Sequence, residues 1–287
     1  MNTVLYFEFT RNKKKIIRHI LGWGIAFVIL FVFTLLLDYI FPELNERCMK
    51  WPEMLKNLLG LPAWKRSLYG NIWQLMMLVS PFFLIYRLMS ELSASIIQEE
   101  RLETIVFLKN LSIKKGNIML SKWLVCMAEI LMDILVMLLI NLLFLFLLQG
   151  KQMLGIVVGY YMGLFLVESF YSVIALFLAS YRKNEAGCSD AILAILILPF
   201  LISRIPALLN FFVAVLEATG RSSELLEKMG SVADRLSVLT IVSPLTWCWT
   251  EIQVPWTYIL CAVLIGSIMT VAAFGIYTTR QAVYEEK

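Results

Sequence analysis

Long apolar stretches recur along the whole sequence and set the strongest limit on its fold. Six of them approach or exceed the length of about 20 residues that a helix needs to cross a bilayer. They cover roughly residues 19–41, 71–92, 122–148, 150–180, 189–216 and 256–280. Apolar residues make up 60% of the chain and charged residues 16%, whereas a soluble domain is nearer about a half and a quarter. The sequence therefore predicts an all-α membrane protein with six transmembrane helices in a single domain, 1–287.

The basic residues favour one orientation of these six spans. An even number of spans places both termini on the same side. With that side inside, fifteen Lys and Arg residues lie inside and nine outside, and Arg204 falls within the membrane. The positive-inside rule then places both termini in the cytoplasm. We expect a multi-pass plasma-membrane protein without a cleavable signal peptide, because the first apolar stretch is long and lacks a small-residue cleavage site.

Two segments outside the predicted spans have amphipathic patterns. Residues 1–18 combine apolar positions with five basic residues, which is typical of a helix on an anionic inner leaflet; an ordinary basic flank is the alternative. Residues 217–255 contain an amphipathic repeat and then two prolines and two tryptophans, with a third tryptophan directly after them at 256. We expect this segment to form an outer helix followed by a re-entrant or interfacial turn. The repeat consists of Leu225, Met229, Val232 and Leu236.

The cysteines and the single histidine give no support to an enzymatic or metal-binding function. The five cysteines form no C-x-x-C pair, so no metal site is predicted. A disulfide between Cys48 and Cys248, both expected outside, stays an alternative to free thiols. His19 lies at the edge of the first span, where a flanking role is favoured over catalysis. No catalytic residue is predicted, and the net charge of +4 does not indicate nucleic-acid binding.

Ionisable residues within the predicted spans are candidate functional groups, because such residues usually face a bundle interior or a cavity. Glu129 and Asp133 lie four positions apart on one face of the third span, and Glu168 lies near the middle of the fourth. Arg204 lies deep in the fifth span. We interpret the group as a structural pairing of Arg204 with one or two carboxylates. A substrate or ion site is the alternative.

Other residues within the spans predict how the helices pack. Asn141 is expected to hydrogen-bond across helices. Prolines on both sides of Arg204 predict a kink in the fifth span and a candidate gate. Small residues at every fourth position of the fourth span predict close helix packing within one bundle, with a subunit interface as the alternative. These residues are Gly155, Gly159 and Gly163.

A polar segment separates the second and third apolar stretches, where residues 98–117 read QEERLETIVFLKNLSIKKGN. From Ser93 onward, apolar residues recur at helical spacing and the acidic residues fall on the other face, which predicts an amphipathic helix. Lys114 and Lys115 follow at its end, where the negative pole of a helix favours cations. In the expected topology, this helix occupies residues 93–118 on the cytoplasmic side.

The same segment contains a characteristic order of residues: two acids, a threonine, the apolar turn IVFL, a second turn, a basic residue, the run NIML and a lysine. These positions are Glu99, Glu100, Thr104, Leu111, Ile113, Lys115 and Lys122. The order resembles the first cytoplasmic loop of type-2 ATP-binding-cassette (ABC) exporter permeases. Glu103, Ser112 and Ser121 stand where that family has glycine, proline and glycine. The six predicted spans and the long segment before the last span agree with the same family.

The resemblance implies that the polar segment is a coupling helix, which docks on a separate nucleotide-binding ATPase subunit. The residues implied in this contact are Glu99, Glu100, Thr104, Leu111, Ser112, Lys114 and Lys115. The chain contains no G-x-x-x-x-G-K-[ST] loop, so ATP and Mg²⁺ are expected on the partner and no cofactor on this chain. The resemblance also implies a second permease subunit, identical or related. The expected cargo is an exported peptide, antibiotic or amphipathic small molecule.

Two other functions stay open from the sequence. An ion-coupled secondary transporter would use Asp133, Glu168 and Arg204, although the two halves show no inverted repeat of the kind that many such carriers contain. A non-transporting membrane scaffold or sensor with a permease fold is the second alternative.

Overall fold

The computed structural model describes residues 2–40, 68–101, 114–147, 154–182, 185–218, 223–248 and 256–279. For some of these, including 68–78 and 99–101, only the backbone is described. The described regular structure is entirely helical. Its α-helices are α1 (Asn2–Ile40), α2 (Leu68–Arg101), α3 (Lys115–Leu147), α4 (Leu154–Tyr181), α5 (Glu185–Ser203), α6 (Ile205–Ala218), α7 (Ser223–Arg235) and α8 (Trp256–Thr279). Two 3-10 helices, Leu236–Ile241 and Pro244–Cys248, lie between α7 and α8.

Five helical segments among the described residues are long and apolar enough to cross a membrane. They are Val4–Leu36, Lys115–Leu147, Leu154–Tyr181, Glu185–Val213 and Trp256–Thr279. The chain therefore has the architecture of an all-α, multi-pass membrane protein. α2 is not among the five, so the sixth span stays a prediction.

The N-terminal arm does not form a surface helix of its own. The predicted arm, 1–18, and the first predicted span belong to one continuous helix, α1, which is about 58 Å long at 1.5 Å per residue. α1 packs along α3. Neither proline nor a turn residue separates the arm from the span, and Glu8 of the arm is buried with a carboxylate oxygen 3.5 Å from Lys122 Nζ. The arm is therefore part of the bundle.

α4 lies at the centre of the bundle, where it packs against α2, α3 and α8. Half of its 28 residues are buried, whereas α8 has only Gly266, Ala273 and Tyr277 among its buried described residues. Most of the surface of α8 is apolar and exposed, as suits a helix that faces lipid. α4 and α8 are thus both apolar, but α4 is surrounded by other helices and most of α8 is exposed at the outside of the bundle.

The helices alternate in direction, so that one end of the bundle contains the start of α1, the end of α2, the start of α3, the end of α4, the start of α5 and the end of α8. We call this the basal end. Gly116, near the start of α3, lies against Thr278 near the end of α8. Tyr86 of α2 hydrogen-bonds Ser189 near the start of α5, with 2.9 Å between the hydroxyl oxygens.

The fifth predicted span is interrupted where its prolines predicted a kink. α5 ends at Ser203, Arg204 forms a turn, and α6 begins at Ile205. Pro206 supplies no N–H for the helical hydrogen-bond ladder, and a proline ring also crowds the preceding turn. The Arg204 N–H instead bonds the Leu201 carbonyl, three residues earlier, at 3.1 Å.

After α7, the chain turns back into the bundle. Ser243, Leu245 and Thr246 are each at most 3% exposed, and the segment Pro244–Cys248 packs against α4. The Thr246 hydroxyl donates to the Thr240 carbonyl at 2.7 Å. A side chain thus provides a hydrogen bond to a backbone carbonyl that is not part of a regular α-helix.

Candidate functional site

Arg87 is the centre of a charged cluster inside the bundle. Its side chain, 15% exposed, extends from α2 toward α3. There the guanidinium contacts the carboxylate of Glu129, and Nη1 lies 3.8 Å from Asp133 Oδ2. On its own helix, Nε lies 3.4 Å from Glu91 Oε1. One arginine therefore serves three carboxylates, and the cluster joins α2 to α3.

Two side chains of α1 extend the cluster toward the basal end. Lys15 Nζ lies 3.1 Å from Glu91 Oε2, and His19 Nε2 lies 3.5 Å from Glu91 Oε1. Lys15 is half exposed, so this part of the cluster reaches solvent. The buried pair of Glu8 and Lys122 closes the same interface one layer below. Glu8 and Lys15 of the predicted arm thus make their contacts within the bundle.

The charges of the four helices lie at a common depth. Lys15 comes 13 positions after Asn2, and Glu129 comes 14 positions after Lys115. Arg87 comes 14 positions before Arg101, and Glu168 comes 13 positions before Tyr181. At 1.5 Å per residue, each lies about 20 Å from the basal end of its helix. The cluster is therefore one polar layer across the bundle.

Glu168 of α4 is buried beside this layer without a hydrogen-bond partner. Its residue is 2% exposed, and neither carboxylate oxygen has a hydrogen-bond partner within the described residues. The charged groups that interact electrostatically with this carboxyl group are Asp133 and Arg87. A buried polar group without a partner costs free energy, and a buried charge costs more.

The register of α3 against α4 explains this position. Trp123 Nε1 donates to Ser172 Oγ at 3.0 Å, and Asn141 Nδ2 donates to the Tyr161 hydroxyl at 2.5 Å. The two helices are antiparallel, so positions between these contacts face one another in reverse order. Residue 168 then falls opposite the stretch between Glu129 and Asp133. The Asn141 contact also confirms the predicted hydrogen bond across helices.

Arg204 does not occupy the position that the sequence predicted. The arginine that contacts Glu129 and Asp133 is Arg87, whereas Arg204 Cζ lies 4.7 Å from the centroid of the Phe200 ring at the break between α5 and α6. Such a distance suits a cation–π interaction. The predicted pairing of Arg204 with these carboxylates was wrong because the depth of Arg204 in a span does not place it beside α3.

Sequence reasoning missed Arg87, which it counted as a basic residue at the inner edge of the second span. Two signals could have identified it. Arg87 and Glu91 stand four positions apart, which places them on one helix face. Arg87 also lies 11 positions before the polar segment 98–117, and Glu129 lies 12 positions after it, so the two residues are expected at similar depths.

The three glycines of α4 have different surroundings. Nothing lies within 4 Å of the place where a Cβ of residue 155 would stand. Gly159 and Gly163 border a cavity of about 530 Å³ between α4 and α8. Gly266 of α8 and Trp247 of the second 3-10 helix line its other sides. These two glycines thus border an open groove, and a helix-packing role for the three stays a prediction.

The residues of the predicted coupling helix lie mainly outside the described part of the chain. Glu99 and Glu100 belong to α2, but their side chains are outside the description, as are Thr104, Leu111 and Ser112 altogether. Lys114 is exposed, and Lys115 is the first residue of α3. The contact of this segment with an ATPase therefore stays a prediction. The pairing of Cys48 with Cys248 also falls outside the described side chains.

Within the described residues, no three His, Cys, Asp or Glu side chains form a group that could hold a metal ion. The sequence matches no protein-family model and no curated protein.

Proposed function

We propose that this chain is the membrane-spanning permease subunit of a type-2 ABC exporter, driven by ATP hydrolysis on a separate subunit. The observation that carries the proposal is the length of the two helices on either side of the polar segment. α2 and α3 contain 34 and 33 residues, or about 50 Å each. The hydrocarbon core of a bilayer is only about 30 Å thick, so both helices have length to spare for a projection at the basal end.

That projection suits a coupling element. The connection between the two helices, with its acidic start and the basic pair Lys114 and Lys115, would stand clear of the membrane and dock on the ATPase. Of the predicted coupling helix 93–118, residues 93–101 are instead the end of α2 and residues 115–118 the start of α3, because the helical pattern continues that of the neighbouring spans. A transporter that does not hydrolyse ATP needs a rigid element that receives motion from a subunit that does. The contacts of Arg87 with Glu129 and Asp133 give α2 and α3 such rigidity.

The proposed topology has six spans, namely the five long apolar segments described above and α2. Both termini lie in the cytoplasm, and the protein is in the plasma membrane. The start of α1 and the end of α8 both lie at the basal end in this scheme, and the excess of Lys and Arg on that side supports its cytoplasmic position. Residues 217–255, including α7, then lie outside.

The proposal includes a second permease subunit, because six spans of this type form half of a transport pathway. It also includes a peptide, antibiotic or amphipathic small molecule as the exported cargo. The break between α5 and α6 at Arg204 and the groove beside Gly159 give the bundle two places where helices can move relative to one another.

The coupling assignment is tested by removing its charges. The tagged full-length chain, expressed in its own host, is purified from membranes in mild detergent, and ATP hydrolysis in the eluate is measured. We expect Glu100→Ala combined with Lys115→Ala to reduce the hydrolysis that copurifies, because the docking element loses one acid and one base. The matched control removes the same charges elsewhere, with Lys228→Ala and Asp234→Ala on α7, where both residues are exposed.

Equal ATPase activity in the wild type, the double variant and the control would overturn the coupling assignment. Absence of ATPase activity from all three preparations would favour the secondary transporter or the non-transporting sensor instead. A loss confined to the Glu100 and Lys115 variant supports the permease function.

A further inference from the structure

The carboxyl group of Glu168 stands apart from the other acids of the polar layer. Glu91, Glu129 and Asp133 each have a cation within 4 Å. For Glu168, the described residues supply no ion pair and no hydrogen bond, although the side chain is among the most buried charged groups of the bundle. We propose that Glu168 is a proton-binding site, loaded from the basal end through a polar vestibule.

The charges around Glu168 favour its neutral form. Asp133 faces it from α3 and repels a carboxylate, while the positive charge of Arg87 on α2 is already shared among three acids. α8 and the segment Pro244–Cys248, which also pack against α4, contain no charged residue. The charged residues of α5, Glu185 and Asp190, lie near its basal end. A buried carboxyl group without a cation or donor is least costly when it holds a proton.

A polar route leads from the basal end toward this site. A vestibule of about 360 Å³ narrows into a cavity of about 60 Å³ that reaches Glu129. Exposed Arg11 and Gln98 border the outer part. At about 15 Å³ for each water, the inner cavity has room for about four water molecules. Both spaces share Glu8, Asn12, Lys15, Glu91, Ser95 and Lys122.

The remaining distance is covered by carboxyl groups. Glu129 borders the inner cavity, Asp133 lies one helical turn further along α3, and the register of α3 and α4 places Glu168 opposite these two residues. A proton passes from hydronium in the cavity to Glu129, then to Asp133 and then to Glu168. Each transfer breaks one O–H bond and forms another, so the sequence delivers one proton and one positive charge to α4. Arg87 stabilises whichever of Glu129 and Asp133 is ionised.

The first experiment detects the proton on Glu168. Infrared spectra of the purified full-length chain in lipid nanodiscs show the carbonyl stretch of protonated carboxylic acids. At neutral pH we expect the wild type to show such a band and Glu168→Gln to lose it. The control Asp190→Asn, which alters an exposed carboxylate of α5, retains it. Glu168→Asp retains a band at a shifted frequency, which guards against a folding defect in the glutamine variant.

The second experiment tests the route. After transfer into D₂O, the same band shifts as deuterium replaces the proton. Ser95→Trp fills the vestibule shared by both spaces and is expected to slow this shift, whereas Ser267→Trp on the exposed side of α8 leaves it unchanged. Identical bands in the wild type and Glu168→Gln at neutral pH would overturn the site. Equal exchange rates in the wild type and Ser95→Trp would overturn the route.

Neither measurement uses ATP, a partner or a cargo. The proton site therefore goes beyond the proposed function and stands or falls independently of the coupling assignment.

Discussion

The guanidinium of Arg87 contacts the carboxylate of Glu129 inside the bundle, and this contact connects α2 to α3 at the level of the polar layer. The two side chains are 15% and 11% exposed. If one partner is removed, water can therefore hydrate little of the charge that stays behind. Removal of one partner of a buried ion pair typically costs about 3–5 kcal/mol, because the other charge stays buried without compensation.

Arg87→Gln is therefore expected to lower stability strongly, and Arg87→Gln with Glu129→Gln is expected to recover part of the loss. The measurement is the apparent melting temperature of the purified protein at one fixed scan rate, since membrane-protein unfolding is often irreversible. Arg182→Gln serves as the control, because Arg182 is exposed. Equal melting temperatures for the Arg87 variant and the control would show that the contact is not structural.

Lys15 provides a graded comparison within the same cluster. Its contact with Glu91 is short, at 3.1 Å, but its side chain is 51% exposed. Exposed ion pairs are worth about 0–1 kcal/mol and weaken with salt. We expect Lys15→Ala to change the melting temperature far less than Arg87→Gln, and the small difference from wild type to vanish at high salt. A loss as large as that of Arg87→Gln would mean that α1 contributes a buried charge.

The sequence indicated the elements of this fold but only some of their contacts. Helical length and apolar composition come from local residues, and so does the break at Arg204, because Pro206 acts on its own helix. The sequence predicted that Asn141 would hydrogen-bond across helices, since a buried amide needs a partner, but it did not predict that the partner is Tyr161. The register of α3 against α4 depends on side chains of both helices together, so the position of Glu168 opposite Glu129 and Asp133 could not be predicted.

The same limit explains the wrong partner predicted for Arg204. Arg204 was assigned to the carboxylates from its depth alone, yet depth fixes neither the helix face nor the neighbouring helix. This limit also leaves the packing role of Gly159 and Gly163 a prediction, because small residues permit close approach without determining which helix approaches. Here a groove of about 530 Å³ lies beside them.

The Asn141 to Tyr161 hydrogen bond fixes the α3–α4 register and gives a third prediction. Polar contacts between membrane helices contribute about 0.6 kcal/mol on average, with a maximum of about 1.7 kcal/mol. We expect Tyr161→Phe and Asn141→Leu each to lower the apparent melting temperature modestly. The double variant should cost less than the sum of the single changes, because both remove the same bond. Strict additivity would contradict a direct interaction.

Gly266 tests whether the groove beside α4 needs a glycine. A Cβ at this position would lie 3.7 Å from the Phe170 ring, which is ordinary van der Waals contact. Alanine is a better helix former than glycine by about 1 kcal/mol in soluble helices, so Gly266→Ala is expected to maintain or raise the apparent melting temperature. Gly155→Ala, where the added Cβ meets open space, shows the propensity effect alone. A Gly266→Ala protein less stable than Gly155→Ala would instead indicate that α8 closes against α4 at this point, with Gly266 as a packing residue.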